Sequence, residues 1–248
     1  MSLQVALATS GRLLVQLRRD LRAGLALVVA PALLLASVRW LYGTDADTYQ
    51  RLGLRLLGAV PFLVMLLAGA ATVTRERARG SLDRLLELPV GRVDVVSGYV
   101  GALAVPGAAA AMLATAVTVG PLGAQLTGSA YLAGGVAVIA AVAGAAVGVL
   151  VGVGTAALGG AGARIGAALC VAVPQLLLCG VLVERGDLPP PLRVLADALP
   201  ATYAVDAEGR LTSGLWLGSA GRTDVAALAV AVAVAVLLGA AGLRRAAR

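Results

Sequence analysis

The longest charged run of this chain separates two long apolar segments. It holds eight charged residues between positions 75 and 92: Arg75, Glu76, Arg77, Arg79, Asp83, Arg84, Glu87 and Arg92. Arginine and carboxylate side chains at this density form ion pairs and polar rims around binding surfaces. The chemistry that this stretch indicates is therefore recognition, either of a partner protein or of a charged membrane surface.

The residue types on which many enzymes rely are missing. The sequence has no histidine, which excludes Ser-His-Asp chemistry, histidine proton relays and histidine metal sites. It has no lysine either, and a Walker A phosphate-binding loop requires one. We therefore predict that the chain is not an enzyme and binds no cofactor of its own.

The only two cysteines, Cys170 and Cys179, lie nine positions apart in one apolar segment. Two thiols alone do not complete a four-ligand zinc site, and this spacing places them on opposite faces of a helix. We predict that both are buried core residues and that they form no metal site.

A short helix is predicted inside the charged stretch, directly after Gly80. Ser81 is placed to accept from free amide N–H groups of the first turn, and Asp83 suits the positive end of the helix dipole. Pro89 lacks the N–H that a helix interior needs and marks the end. One face is apolar and consists of Leu82, Leu85 and Leu86. A helix this short is unstable alone in water, so it must lie on lipid headgroups or, as we favour, dock on a soluble partner.

The composition is that of a membrane protein, with 60% hydrophobic and 13% charged residues. Several apolar runs reach the length of about 18 residues that a bilayer crossing requires. The net charge of +7 does not indicate nucleic-acid binding, because the arginines lie at the ends of apolar runs and form no continuous basic face.

The predicted fold class is all-α integral membrane, with a single domain of six transmembrane helices. The predicted spans are 23–38, 56–73, 95–119, 131–158, 165–183 and 225–243. Residues 1–22 read as an amphipathic interfacial helix whose arginines face lipid headgroups; a soluble tail or a cleaved signal peptide is the alternative. Residues 39–55 are predicted to be a loop.

Charge predicts the orientation. An even number of spans places both termini on one side, and that side holds thirteen arginines against seven on the other. Because positively charged segments remain in the cytoplasm, both termini and residues 75–92 are predicted to be cytoplasmic.

The fourth predicted span carries two overlapping GxxxG patterns on one face, made by Gly144, Gly148 and Gly152. Small residues of this kind allow close helix packing. They indicate either packing within the chain, which we favour, or the seam of a dimer.

No ionisable residue falls in the middle of a predicted span. Such residues usually mark ion or proton pathways, so a proton-coupled antiporter and an intramembrane hydrolase are both disfavoured. Any energy source must then lie outside the chain.

Residues 76–92, ERARGSLDRLLELPVGR, resemble the cytoplasmic signature of ABC-2 type permeases, roughly E-R-E-x-G-T-L-E-x-L-L-x-T-P-V-S-R. Mild departures occur at Ala78, Ser81, Asp83, Leu88 and Gly91. The resemblance implies that this segment contacts an ATPase. The residues it assigns to that role are Glu76, Arg77, Arg79, Gly80, Ser81, Leu82, Asp83, Leu85, Leu86, Pro89 and Arg92.

The segment 184–224 contains LPATYAVDA at 199–207, which resembles the L-P-x-T-Y-x-V-[DE]-A motif before the last span of the same family. There, external helices dip back into the membrane; an ordinary extracellular loop is the alternative. The matching residues are Leu199, Pro200, Thr202, Tyr203 and Asp206. Glu208 and Gly209 depart from the family pattern and predict that the second short helix ends early.

The resemblance implies the permease subunit of an exporter in a bacterial plasma membrane. Its implied partners are an ABC ATPase, which carries ATP and magnesium, a second permease in a homo- or heterodimer, and lipid. The apolar spans suit a hydrophobic or amphipathic cargo such as a drug, a polyketide or a lipid. The competing interpretation is a non-transport scaffold or immunity-type subunit that uses the short helix to hold a regulator; a membrane enzyme is the third and poorest.

Overall fold

The computed structural model describes residues 3–43, 45–87, 90–126, 129–155, 158–183, 185–212 and 218–246. Every regular element in these ranges is helical. The helices are α1 (Leu3–Arg19), α2 (Leu21–Leu41), α3 (Ala46–Ala78), α4 (Ser81–Glu87), α5 (Arg92–Val119), α6 (Ala130–Gly154), α7 (Ala161–Leu178), a 3-10 turn (Arg185–Asp187), α8 (Pro190–Ala198), α9 (Pro200–Thr212) and α10 (Ser219–Ala246).

Among the described residues, five helices are long and apolar enough to cross a membrane: α2, α3, α5, α6 and α10. The predicted fifth span corresponds to α7, whose apolar part is the shorter segment Gly162–Leu178. The prediction of a helical integral membrane protein is therefore confirmed, and the described residues hold five candidate spans and one shorter apolar helix.

The prediction of a loop over residues 39–55 is wrong. Helix α2 continues to Leu41, and α3 already begins at Ala46. Asp45 caps α3, because its carboxylate accepts a hydrogen bond from the Thr48 amide at 3.0 Å. Tyr49 is buried against the rest of the bundle, so this first part of α3 is held by packing as well as by its cap.

The centre of the bundle is the pair formed by α3 and α6. A Cβ atom added at Gly144 or Gly148 would lie 2.0 Å from the carbonyl oxygen of Phe62 or Leu66, respectively. Only glycine allows the two backbones to come this close. The GxxxG face therefore packs within the chain, as favoured from the sequence, and is not available as a dimer seam.

Helix α1 and the second half of α10 lie beside the first half of α5. Helix α1 packs on α5, where the Ser10 hydroxyl donates to the Gly98 carbonyl oxygen at 2.8 Å. The last turns of α10 reach the same region, since a Cβ atom at Gly239 would lie 3.3 Å from the Val96 side chain. Helix α4 precedes α5 in the chain, so α1, α4 and the end of α10 lie at one end of the bundle.

The cysteines do not behave alike. Cys179 is fully buried, as predicted. The prediction that Cys170 is buried is wrong, because this side chain is exposed on α7. Among the described residues, no group of histidine, cysteine, aspartate or glutamate side chains is arranged to hold a metal ion.

Candidate coupling site

Helix α3 continues beyond its apolar part and includes the first residues of the charged stretch. It ends at Ala78, and the chain then reverses at Gly80, whose φ of 67° is in the left-handed region that favours glycine. Helix α4 follows at once and spans Ser81–Glu87, as predicted. Pro89, the predicted stop, lies outside the described residues, and Arg92 begins α5.

The side chain at the centre of this site is Glu76, which is only 2% exposed. Its Oε2 atom accepts hydrogen bonds from Arg12 Nη2 at 2.8 Å and Ser81 Oγ at 2.7 Å. The Tyr99 hydroxyl lies 3.4 Å from the same oxygen. One carboxylate thus joins α1, α3, α4 and α5, so movement of α4 is mechanically connected to three other helices.

The prediction that Ser81 caps α4 is wrong. Its hydroxyl lies 2.7 Å from Glu76 Oε2 and 3.0 Å from the Glu76 carbonyl oxygen. The tight reversal at Gly80 brings Ser81 back to the last turn of α3, where a charged acceptor binds the hydroxyl hydrogen more strongly than a neutral group would. Ser81 therefore connects α4 to α3.

The predicted leucine face of α4 is divided. Leu82 is 1% exposed and belongs to the core cluster that includes Leu13, Val73 and Tyr99. The prediction that Leu82 faces a partner is therefore wrong, because α4 folds back onto its own bundle and buries this side chain. Leu85 is half-buried, and the side chains of Asp83 and Leu86 lie outside the described residues.

The remaining polar residues of the stretch surround this buried centre. Arg79, Arg84 and Glu87 are exposed. Arg77 donates from Nη2 to the Val153 carbonyl oxygen at 3.4 Å, which connects the end of α3 to the end of α6. Arg92 is half-buried at the start of α5. On the described surface of α4, the half-buried Leu85 therefore lies between the exposed Arg84 and Glu87.

Sequence reasoning missed Arg12 and Tyr99. Arg12 was assigned to lipid headgroups because it lies on the polar side of an amphipathic helix. It instead pairs with Glu76, at a separation of 64 positions, because α1 packs along α5 rather than on lipid alone. No local pattern in the sequence identifies such a distant partner.

The second motif builds a hairpin of α8 and α9. Leu199 ends α8 with extended backbone, and Pro200 is the first residue of α9. The Thr202 hydroxyl donates to the Ala196 carbonyl oxygen at 2.7 Å, and the Tyr203 hydroxyl donates to the Asp197 carbonyl oxygen at 2.6 Å. These hydrogen bonds fix the angle between the two helices, so the motif residues act as structural ties.

Asp206 extends this hairpin through an ion pair. Arg185 donates to Asp206 Oδ2 at 2.9 Å and also pairs with Asp197. Burial raises the pKa of the Asp206 carboxyl, and the Arg185 guanidinium opposes that rise. The 3-10 turn, α8 and α9 are thereby held together at one arginine.

The prediction that α9 ends early is wrong, because the helix continues to Thr212. Glu208 and Leu211 lie in its last turns and are fully buried. Glu208 packs on α3, where its Cγ atom would lie 3.1 Å from a Cβ atom added at Gly58. Neither carboxyl oxygen of Glu208 has a hydrogen-bond partner among the described residues. Burial raises the pKa of this carboxyl well above its ordinary value.

Comparison with models of protein families identifies a family. The model of a protein family described as ABC-2 type transporter matches residues 4–208 of the chain, a range that covers α1 to α8 and most of α9. No curated protein matches the sequence.

Proposed function

This chain belongs to the ABC-2 type transporter family, and from that membership we propose that it is the membrane subunit of an ATP-driven exporter. As a member of the family it is a multi-pass membrane component of an ABC transporter. We propose further that a separate ATPase docks on α4 and supplies ATP and magnesium. The apolar spans favour a hydrophobic or amphipathic cargo.

The observation that best supports this proposal is that α4 has exposed charged side chains while its first residues, Ser81 and Leu82, are held in the bundle. Leu82 anchors α4 in the core, and Glu76 ties it to α1 and α5. When a partner displaces a short helix that is held in this way, several spans move with it. A loosely attached helix would move without moving the spans. A helix that only rests on lipid headgroups would not need the ion pair between Glu76 and Arg12 beside its first residue.

The proposed assembly contains two copies of the permease, identical or different, and two ATPase subunits. Closure of the ATPases on ATP pushes each α4 and rocks the spans between inward-open and outward-open arrangements. We propose that α2, α3, α5, α6, α7 and α10 are the six spans, with α1, α4 and both termini in the cytoplasm of a bacterial cell. The arginine asymmetry of thirteen to seven supports this orientation.

The test is a pull-down of the permease from its own membranes, with identification of any ABC ATPase that co-purifies. Leu85→Asp places a charge in the half-buried centre of the α4 surface and is expected to abolish ATPase recovery and ATP-driven export. The matched control is Val194→Asp on α8, a 69% exposed side chain at the other end of the bundle, which is expected to change neither. Both variants must insert into the membrane at the level of the wild-type chain.

Equal ATPase recovery with wild type and Leu85→Asp would contradict docking on α4. Recovery of the ATPase by a wild-type chain that exports no hydrophobic compound in ATP-loaded vesicles would instead favour the scaffold interpretation.

A further inference from the structure

Glu208 is a buried carboxylic acid that the proposed coupling of α4 to the spans does not use. It lies on a face of α9 that also contains Ala201, Ala204 and Leu211, and all four side chains are fully buried. These positions follow the helical repeat, so they form one continuous face. An ionised group within such an apolar face is costly unless another group pairs with it.

This face of α9 packs closely on α3 at Gly58. A Cβ atom added at Gly58 would lie 2.5 Å from the Ala204 carbonyl oxygen and 3.1 Å from Glu208 Cγ. The backbones of the two helices therefore meet beside the Glu208 side chain. Because the alanines of this face bury less apolar surface than leucine or phenylalanine does, we expect α9 to separate from α3 at a lower cost than α6 does.

Glu208 has no partner among the described residues, since neither carboxyl oxygen makes a hydrogen bond. On α3, Arg55 donates to the Gly180 carbonyl oxygen at 3.3 Å. The sequence of α6 contains no charged residue, and that of α7 contains only Arg164. Arg164 is eleven positions from Gln175, the α7 residue whose side chain accepts from the first turn of α9. None of these three helices neutralises the Glu208 carboxylate.

The other charged groups around α9 are engaged elsewhere or exposed. Arg210 of α9 pairs with Asp224 of α10 at 2.7 Å. Arg185 of the 3-10 turn pairs with Asp206 of α9 and with Asp197 of α8. The remaining charged residues of α8 and of the first turns of α10 are Arg193, which donates to the Leu188 carbonyl oxygen at 3.3 Å, and Arg222, which is exposed. These ion pairs attach α9 to helices other than α3, so they do not hold the α9–α3 contact closed.

We propose that Glu208 makes the contact between α9 and α3 dependent on pH: the protonated side chain allows the two helices to pack, and loss of the proton separates them. The ionised carboxylate requires hydration, which the packed arrangement excludes. Separation hydrates the carboxyl and releases its proton, so a rise in pH favours separation. Burial raises the pKa of Glu208 well above its ordinary value, which agrees with this direction.

Under the proposed topology α9 lies outside the cell, so the external pH would control the outer end of the bundle. That consequence rests on the proposed function, whereas the separation of α9 from α3 is a property of the isolated chain. The two can therefore fail independently.

The test is hydrogen–deuterium exchange of the purified chain in mild detergent at pH 6 and pH 8, with labelling times corrected for the chemical exchange rate. In wild type, the protection of the α9 amides should fall by up to about tenfold per pH unit, because opening releases one proton. Glu208→Gln and Glu208→Leu remove the titrating group and should show a smaller fall. Asp206, whose pKa burial also raises, contributes equally to all three chains. The matched control, Glu87→Gln, changes an exposed glutamate of α4 and should behave as wild type.

An equal fall in α9 protection in wild type and in both Glu208 variants would overturn the proposal, as would unchanged α9 protection in wild type between the two pH values. The α6 segment around Gly144 distinguishes separation of α9 from unfolding of the whole chain, and it is expected to remain more protected than α9 at both pH values. Equal protection of α6 and α9 would also overturn the proposal, because α9 would then exchange only when the bundle unfolds.

Discussion

Glu76 shows how one residue can take a role that its position in a motif does not reveal. As part of a charged stretch it is expected to lie at a polar rim. The structure buries it instead, with Arg12, Ser81 and Tyr99 around one carboxylate oxygen. Hydrogen bonds to a charged group contribute more than neutral ones, roughly 1.5–3 kcal/mol each, and a buried charge without partners is costly.

We therefore expect Glu76→Ala to lower the free energy of unfolding by about 2–3 kcal/mol. Arg12→Ala in the same chain should add little to that loss, because both substitutions remove the same ion pair. Thermal unfolding in a single detergent measures both. The control is Glu87→Ala, an exposed glutamate on α4, which should stay within about 0.5 kcal/mol of wild type. A wild-type unfolding temperature for Glu76→Ala would show that the buried network contributes nothing to stability.

Glu208 gives a prediction of pH dependence. Its folded pKa lies well above the ordinary value of 4.5, because burial disfavours the charged form. Above pH 4.5 the unfolded chain loses this proton while the folded chain retains it, so the folded state binds more protons. The free energy of unfolding therefore decreases as pH rises through this range, until the folded carboxyl also ionises.

Glu208→Gln should remove the part of this pH-dependent decrease in the free energy of unfolding that Glu208 causes. Thermal unfolding of wild type and Glu208→Gln at pH 5 and pH 8 measures the difference, with Glu87→Gln as the exposed control. Asp206, whose pKa is also raised by burial, contributes with the same sign in both chains and cancels in the comparison. If the wild type and Glu208→Gln respond equally to pH, Glu208 is not the titrating group.

At the scale of the helices, the α3–α6 pair determines how tightly the bundle packs. A Cβ atom at Gly148 would lie 2.0 Å from the Leu66 carbonyl oxygen, and a backbone atom cannot rotate away as the end of a side chain does. The two helices would have to separate, and every neighbouring contact of that interface would loosen with them.

Gly148→Ala should therefore destabilise the chain by about 3 kcal/mol, near the upper end for an overpacked core. Gly135→Ala on the same helix is the control, because a Cβ atom there has no heavy atom within 4 Å. It should be neutral or slightly stabilising, since alanine favours helix more than glycine does. Thermal unfolding of the two variants side by side provides the comparison, and equal midpoints would contradict the close approach of α3 and α6.

At the scale of the whole molecule, α4 and the α8–α9 hairpin belong to opposite sides of the proposed topology. A cysteine at Arg84 or at Val194 is exposed and is expected to react with a thiol reagent that cannot cross the membrane. In a Cys170→Ala background, intact cells should label only the Val194→Cys chain, and opened cells should label both. Labelling of Arg84→Cys in intact cells would reverse the orientation.

The sequence alone determined the class of molecule and most of its helices. Long apolar runs and Gly80 before α4 act locally, so composition and spacing are enough to place them. The start of α4 was predicted for the same reason, whereas the preference for packing of Gly148 within the chain came from the high glycine and alanine content of the whole chain. The start of α3 was misplaced because a capping aspartate and a buried tyrosine outweighed the polar character of residues 46–55.

Only the tertiary structure decided which faces of these helices are inside. Leu82 and Leu85 have the same residue type and lie on one apolar face, yet Leu82 is buried in the chain and Leu85 is half-buried. Arg12 finds its partner 64 positions away, and Glu208 is buried where the sequence predicted an external helix end. These outcomes depend on how α1, α4 and α9 pack on α3 and α5. Periodicity shows that a helix has an apolar face but does not show which neighbour covers it.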